Sequence, residues 1–136
     1  MNGSGKTKTW RILFVEDHAD TAEVFARGMK SRGHEVQVAH DFSTALQMGR
    51  HCAFDLLIAD IGLPDGNGCD LLPKLREICG NPKLRGLIFS AMGMAADRQR
   101  ASAAGYEAHL LKPITFDRIF AAIEEMSGAP RLRDVG

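Results

Sequence analysis

Four short apolar runs in this chain each end on a polar side chain, and that recurrence restricts the fold more than any other feature. Ile12-Leu13-Phe14-Val15 runs into Glu16-Asp17, and Phe54-Asp55-Leu56-Leu57-Ile58-Ala59 closes on Asp60. Leu87-Ile88-Phe89 closes on Ser90, and Ala108-His109-Leu110-Leu111 on Lys112-Pro113. Short runs with little polar alternation mark strands buried on both faces, as parallel sheets require. Open α/β sheets set their ligand crevices at the carboxyl ends of such strands. The runs should therefore deliver three carboxylates, a hydroxyl and an ammonium to one edge. Gly62, Pro64, Gly66 and Gly68 follow Asp60 and mark a tight loop beside it.

Helix-like segments alternate with strands predicted at 11–16, 35–39, 54–60, 85–90 and 107–111, giving five βα units. Asp20-x-x-Glu23 resembles a capping box, followed by a helix that buries Val24, Phe25 and Met29 and stops at Gly33. Asp41 or Ser43 can cap a second helix carrying Ala45 and Leu46. A third spans about 68–79 with Leu71, Leu72, Leu75 and Ile78 inward, although Pro73 is awkward unless that helix starts late. The fourth, about 94–104, has a buried face that is mostly alanine and should be the least firmly anchored. In the fifth Thr115 caps, and Phe116, Ile119, Phe120 and Ile123 form an i, i+3, i+4, i+7 stripe. Residues 1–10 and 128–136 read as flexible tails around one domain at 11–127. Gly3-Ser4-Gly5-Lys6-Thr7 imitates the end of a phosphate-binding loop, but the full G-x-x-x-x-G-K-[ST] pattern is not present.

Seventeen basic residues balance seventeen acidic ones, so a broad basic surface for nucleic acid is not expected. No apolar stretch approaches the roughly 20 residues that span a membrane. Three cysteines without metal-ligand spacing (Cys52, Cys69, Cys79) read as reduced thiols of a cytoplasmic protein, with Cys52 and Cys79 near helix ends. The acids carry the chemistry. Three carboxylates brought together repel one another, and a divalent cation resolves this; an all-oxygen set prefers Mg²⁺. Any one of these acids alone is an ordinary loop residue. The set, with Ser90 and Lys112 at matching strand ends, is not.

Val15-Glu16-Asp17, Asp60 with Pro64 and Gly68, Ser90-Ala91 and Lys112-Pro113 together resemble the receiver domains of bacterial two-component response regulators, over roughly residues 10–127. The resemblance implies a flavodoxin-like, doubly wound five-stranded parallel sheet of order 2-1-3-4-5 with helices on both faces. It implies that Asp60 accepts a phosphoryl group from a phosphohistidine. Glu16, Asp17, Asp60 and the backbone carbonyl of Gly62 would hold Mg²⁺. Ser90 would bond the phosphoryl oxygens, Lys112 would pair with the phosphate, and Pro113 would be cis. The donor would be a sensor histidine kinase or a histidine phosphotransfer protein. The chain would be a signalling switch that assists its own phosphorylation and dephosphorylation, rather than an enzyme.

Two departures from the family pattern matter. The switch aromatic is replaced by His109, and Gly105-Tyr106-Glu107-Ala108-His109 resembles receivers attached to hybrid kinases. The positions that tune phosphate loss are Gly62 and Met92, neither of which can orient a water, so a long-lived phosphate is expected. Nine residues after Ser127 leave no room for an output domain, so a stand-alone regulator and a hybrid-kinase receiver both remain open. A partner or homodimer face is expected over 94–127. The alternatives are a receiver-like interaction module that works without phosphate, and a phosphatase or phosphotransferase with an aspartyl nucleophile. The complete acid, hydroxyl and lysine set argues against the first. Gly62, where such enzymes usually place a second acid, argues against the second.

Overall fold

A computed structural model describes residues 9–51, 53–91 and 95–127. The strands are β1 (Arg11–Val15), β2 (Glu35–Ala39), β3 (Leu56–Asp60), β4 (Gly62–Leu63), β5 (Gly66–Asn67), β6 (Arg85–Ser90) and β7 (Ala108–Leu111). The helices are α1 (Ala19–Ser31), α2 (Phe42–His51), α3 (Leu71–Cys79), α4 (Ala95–Ala103) and α5 (Phe116–Met126). Five strands pair in parallel in the order β2-β1-β3-β6-β7, the doubly wound flavodoxin-like arrangement. β4 and β5 form a separate antiparallel hairpin just beyond Asp60.

Alternate side chains of each strand point to opposite faces, and both faces are covered. Leu13, Val15, Leu57, Ala59 and Ile88 pack with Ala45, Leu71, Leu72 and Leu75 from α2 and α3. Ile12, Phe14, Ile58, Leu87 and Phe89 pack with Phe25, Met29, Ile119 and Ile123 from α1 and α5. The central strands therefore lack the polar alternation of a one-sided sheet.

Several local expectations need correction. His18, not Asp20, caps α1: its side chain accepts the Thr21 amide, and Asp20 falls in the first turn. The inward face of α1 is Ala22, Phe25, Ala26 and Met29, while Val24 is 51% exposed. Val24 lies one position before the stripe, and one helical step is about 100° of rotation. Phe116 is 36% exposed, because the inward stripe of α5 is Ile119, Ile123 and Met126. Its ring leans on Phe25 and Phe120, with centroids 4.9 and 5.8 Å away. Ile78 is only half-buried. Trp10, placed by its sequence in a loose tail, is 1% exposed and opens the core. The strands predicted at 11–16, 54–60 and 107–111 are each shorter by one or two residues.

Other expectations hold. Asp41 caps α2 through the Thr44 amide. Gly33 follows α1 with φ +96°, a conformation that suits glycine. A 3₁₀ turn at Gly68–Asp70 delays α3, so Pro73 is its third residue, where an amide has no helical acceptor to lose. The Gly3–Thr7 motif, Cys52, Met92, Met94 and the tail after 127 lie outside the described residues.

The amino edge of the sheet is closed by side chains. Trp10 Nε1 donates to Ser127 Oγ, and Arg85 donates to the Met126 carbonyl and to both oxygens of Glu107. His34 Nδ1 accepts the Trp10 amide at 3.0 Å, a role that needs an unprotonated nitrogen. Burial lowers the His34 pKa; Asp55 opposes this and Arg32 adds to it. The unfolded chain therefore takes up a proton at His34, near its ordinary pKa of about 6.5, where the folded ring resists one. Stability from this site is complete above that pH and is lost as the pH falls toward the depressed folded value. His34→Asn keeps an acceptor that does not titrate. It should flatten the stability loss between about pH 7.5 and 5.5. Denaturant midpoints at the two pH values, compared with wild type, check this; an unchanged slope would exclude His34 as the source.

Candidate functional site

Parallel pairing brings the carboxyl ends of β1, β3, β6 and β7 to one edge, and the charged residues that follow them converge there. The Glu16 amide continues the β1 ladder by donating to the Ala39 carbonyl, which fixes Glu16 just past the strand end. Its side chain is 1% exposed, and Oε2 accepts the His18 amide at 2.9 Å. Asp60 closes β3 at 4% exposure; Oδ1 accepts the Gly62 amide at 3.1 Å. Asp17 is exposed at the mouth. Oxygen atoms from Glu16, Asp17 and Asp60 lie within 4.8 Å of one another.

Lys112 supplies the opposing charge. Its amide donates to the Ser90 carbonyl, extending the β6–β7 pairing by one residue. Its Nζ stands 2.8 Å from Asp60 Oδ2 and 3.4 Å from Glu16 Oε1. The Lys112–Pro113 peptide is cis. Burial alone would lower the Lys112 pKa, but Asp60 and Glu16 outweigh it and the net shift is upward. Burial raises the Glu16 carboxyl, and Asp17 and Asp60 push the same way, against the His18 amide and Lys112. Glu16 is thus an acid under strain from its neighbours.

The donor set fits a hard divalent cation. Three carboxylates face one ammonium, and Glu16 Oε1 is a buried acceptor without a hydrogen bond among the described residues. An open cleft of about 670 Å³ leads to the acids between α1 and the segment after β7, lined by Asp17, Thr21, Phe25, Ala91 and Ile114. At the end of β6, Ser90 Oγ lies 2.8 Å from His109 Nε2 on the neighbouring strand. Every described residue singled out by sequence for this site is therefore at the same edge, with His109 one strand to the side.

Three contributors went unread in the sequence. Asp65, in the β4–β5 turn, accepts the Phe42 and Ser43 amides with its two oxygens and so ties the hairpin to the start of α2. Its Pro-Asp-Gly setting signals a turn but not a remote cap. The Tyr106 hydroxyl donates to the Gly68 carbonyl at 2.7 Å in the interior. A Cβ at Gly68 would run into the Asp60 carbonyl, so that position admits only glycine without displacement of the strand end. His18 offers its amide to Glu16 while its ring caps α1. Nothing in the spacing of these residues announces the contacts.

A doubly wound sheet with its acids gathered beyond the carboxyl ends of adjacent central strands is the architecture of the signalling domains of two-component systems. The chain belongs to that family: the response regulator receiver domain model matches residues 12–124. The probable transcriptional regulatory protein SilR of Salmonella typhimurium is 30% identical over 116 residues, 85% of this chain and 50% of that protein. The chain thus spans about half the length of the curated relatives it matches first. A response regulator from Burkholderia pseudomallei, solved with a phosphorylated aspartic acid, a calcium ion and citrate, shares 26% identity at a TM-score of 0.76. That match covers 86% of this chain and 68% of the other. The receiver domain of sensor histidine kinase PA1611 from Pseudomonas aeruginosa, solved with magnesium in its active-site cleft, superposes at 0.77 with 21% identity. It covers 90% of this chain and all of its own.

Tyr106→Phe removes the donor to a buried carbonyl without changing the ring. The orphaned Gly68 oxygen should cost about 1–3 kcal/mol of stability. Urea unfolding of the two proteins measures this, and equal midpoints would mean that water replaces the hydroxyl.

Proposed function

We propose that this domain is a phosphorylation-controlled switch in which Asp60 accepts a phosphoryl group from a phosphohistidine. The donor is a sensor histidine kinase or a histidine phosphotransfer protein. The observation that carries the reading is the Lys112 ammonium held between Asp60 and Glu16, with Asp17 beside them at the mouth of an open cleft. A carboxylate oxygen of Asp60 attacks phosphorus as the bond to the donor imidazole breaks, and the resulting acyl phosphate stays labile. Glu16, Asp17, Asp60 and the Gly62 carbonyl hold Mg²⁺ in this reading. When bound, the ion neutralises charge on the phosphoryl oxygens. Lys112 then trades its Asp60 oxygen for a phosphoryl oxygen, and the Ser90 hydroxyl donates to another. The ion and the modified aspartate in the Pseudomonas and Burkholderia proteins support both assignments.

The output surface is α4, β7 and α5, within 94–127, used for a protein partner or a second copy. Only Ala101 of α4 is buried, so the helix can respond at small cost. Gly62 has no side chain to hold an attacking water, and Met92 no polar group, so the phosphate is long-lived. The balanced charge supports no direct contact of this domain with nucleic acid. No helix among the described residues is long and apolar enough to cross a membrane, and a histidine-kinase partner places the domain in the cytoplasm.

Acetyl phosphate with Mg²⁺ should add one phosphoryl mass to the intact chain. Asp60→Asn should add none, and chelation of the metal should stop the reaction. A fully labelled Asp60→Asn protein would sink the assignment. Asp17→Asn, which removes a charged ligand, should weaken Mg²⁺ binding by on the order of tenfold or more, since even outer partners of metal ligands are worth that much. Titration calorimetry reads this directly, and unchanged affinity would remove Asp17 from the metal site.

A further inference from the structure

Ile61, the residue after Asp60, gives its carbonyl to two amides: Gly68 donates at 2.8 Å and Leu63 at 3.2 Å. The Leu63 amide shares a planar trans peptide with the Gly62 carbonyl, so the bond that aims one sets the other in the opposite direction. The place of the Ile61 carbonyl therefore decides where the Gly62 carbonyl faces. Ile61 is held on one side by the Phe89 carbonyl of β6, which takes its amide, and on the other by Gly68. Gly68 has no side chain with which to anchor itself, and it packs against the Asp60 carbonyl too closely to admit one.

Tyr106 holds the far side of Gly68. Its buried hydroxyl donates to the Gly68 carbonyl at 2.7 Å. The Leu72 amide, in the first turn of α3, bonds the same hydroxyl, where Asp70 at the helix start makes no side-chain cap. Burial pushes the phenol up from its ordinary pKa, with the Leu72 amide opposing, so the hydroxyl keeps its proton for Gly68. The tyrosine is itself fixed at both ends. Its amide donates to the Ala101 carbonyl, and that of Gly105, at φ +104°, donates to Ser102, a Schellman closure of α4. Its ring lies against Gly86 of β6, where a Cβ would come 2.7 Å from Cδ1.

We infer that Tyr106 is a positioning residue for the metal site: its hydroxyl pins Gly68, Gly68 pins the Ile61 carbonyl, and that carbonyl orients the carbonyl of Gly62. This rests on the Mg²⁺-dependent, phospho-accepting reading above and extends it to a side chain outside the residues that line the cleft. The carboxylates follow directly on β1 and β3, so the sheet itself places them. The backbone ligand of that reading sits in a loop and needs a separate hold. The β4–β5 pairing of Gly62 with Asn67 and of Leu63 with Gly66 supplies part of it, so loss of the tyrosine hydroxyl loosens the ligand without removing it.

Three measurements test this. Titration calorimetry should show Mg²⁺ bound to Tyr106→Phe about three- to tenfold more weakly than to wild type, the worth of one hydrogen bond. Ile123→Val, which thins the core on the α1–α5 side of the sheet, is the control: it should lose stability and keep its Mg²⁺ affinity. Equal weakening in both variants, or none in Tyr106→Phe, would overturn the inference. Acetyl phosphate labelling of Tyr106→Phe should be slow at subsaturating Mg²⁺ and recover most of the wild-type rate at saturation. A deficit that persists undiminished at saturating metal would also overturn it. Amide hydrogen exchange of the wild type supplies an arm that needs no variant. Mg²⁺ should slow exchange at Leu63 and Gly68, because metal affinity and loop order are linked in both directions. Amides indifferent to the metal would sink the inference even were Tyr106→Phe not to fold. A wild-type chain that binds no Mg²⁺ would instead sink the reading of the metal site, and this inference with it.

Discussion

The ammonium of Lys112 lets two carboxylates stay charged where water scarcely reaches them. Glu16 and Asp60 are both buried, and each ion removed from water costs several kcal/mol unless it is paired. Lys112 reaches both, from a strand at the edge of the sheet and past the intervening β6. Its Nζ also lies over the Phe89 ring, 5.5 Å from the centroid, so the negative face of the ring adds to the two carboxylates in favouring the charge. The order of the strands is thus an electrostatic requirement as well as a packing solution. Exchange of β7 with another edge would strand the acids without their cation.

Around that ion pair the backbone is held by contacts spread through the fold. Gly68 donates to the Ile61 carbonyl and gives its own carbonyl to Tyr106, so the chain leaving Asp60 is pinned from two sides. Asp65 binds the hairpin to α2, and Asn67 turns the chain into α3 by accepting the Cys69 amide. These bonds hold the loop that follows Asp60 in place. Preorganisation of this kind matters where the chemistry consists mostly of positioning and charge. Tyr106 also packs on the α2–α3 side of the sheet, so the loop after β3 is braced by a residue that leads into β7.

The strand ends were legible because their signal is double: an apolar run fixes direction, and the polar residue that stops it fixes the edge. Glu16, Asp60, Ser90 and Lys112 were found that way. Helix faces were less legible. Val24 and Phe116 are apolar and near the right spacing, yet one step of rotation put them outside the core. Asp20 matched a capping pattern, but His18 two residues earlier was free to accept the Thr21 amide, and histidine is not a residue that capping patterns favour. The β4–β5 hairpin escaped because two-residue strands leave no periodicity to detect. Asp65 and Tyr106 act on partners more than twenty positions away, and single-sequence spacing carries no such information.

The closure of the amino edge bears on how this domain can be wired to others. Trp10 enters β1 there and Ser127 ends α5 there, and the indole of one is bonded to the hydroxyl of the other. Arg85 locks the same corner through the Met126 carbonyl and lies 5.5 Å above the Trp10 ring. Trp10 and Ser127 therefore stand side by side, at the opposite pole from the acids. A second module joined close to either of these residues would start from the back of the domain, away from the cleft that the acids line.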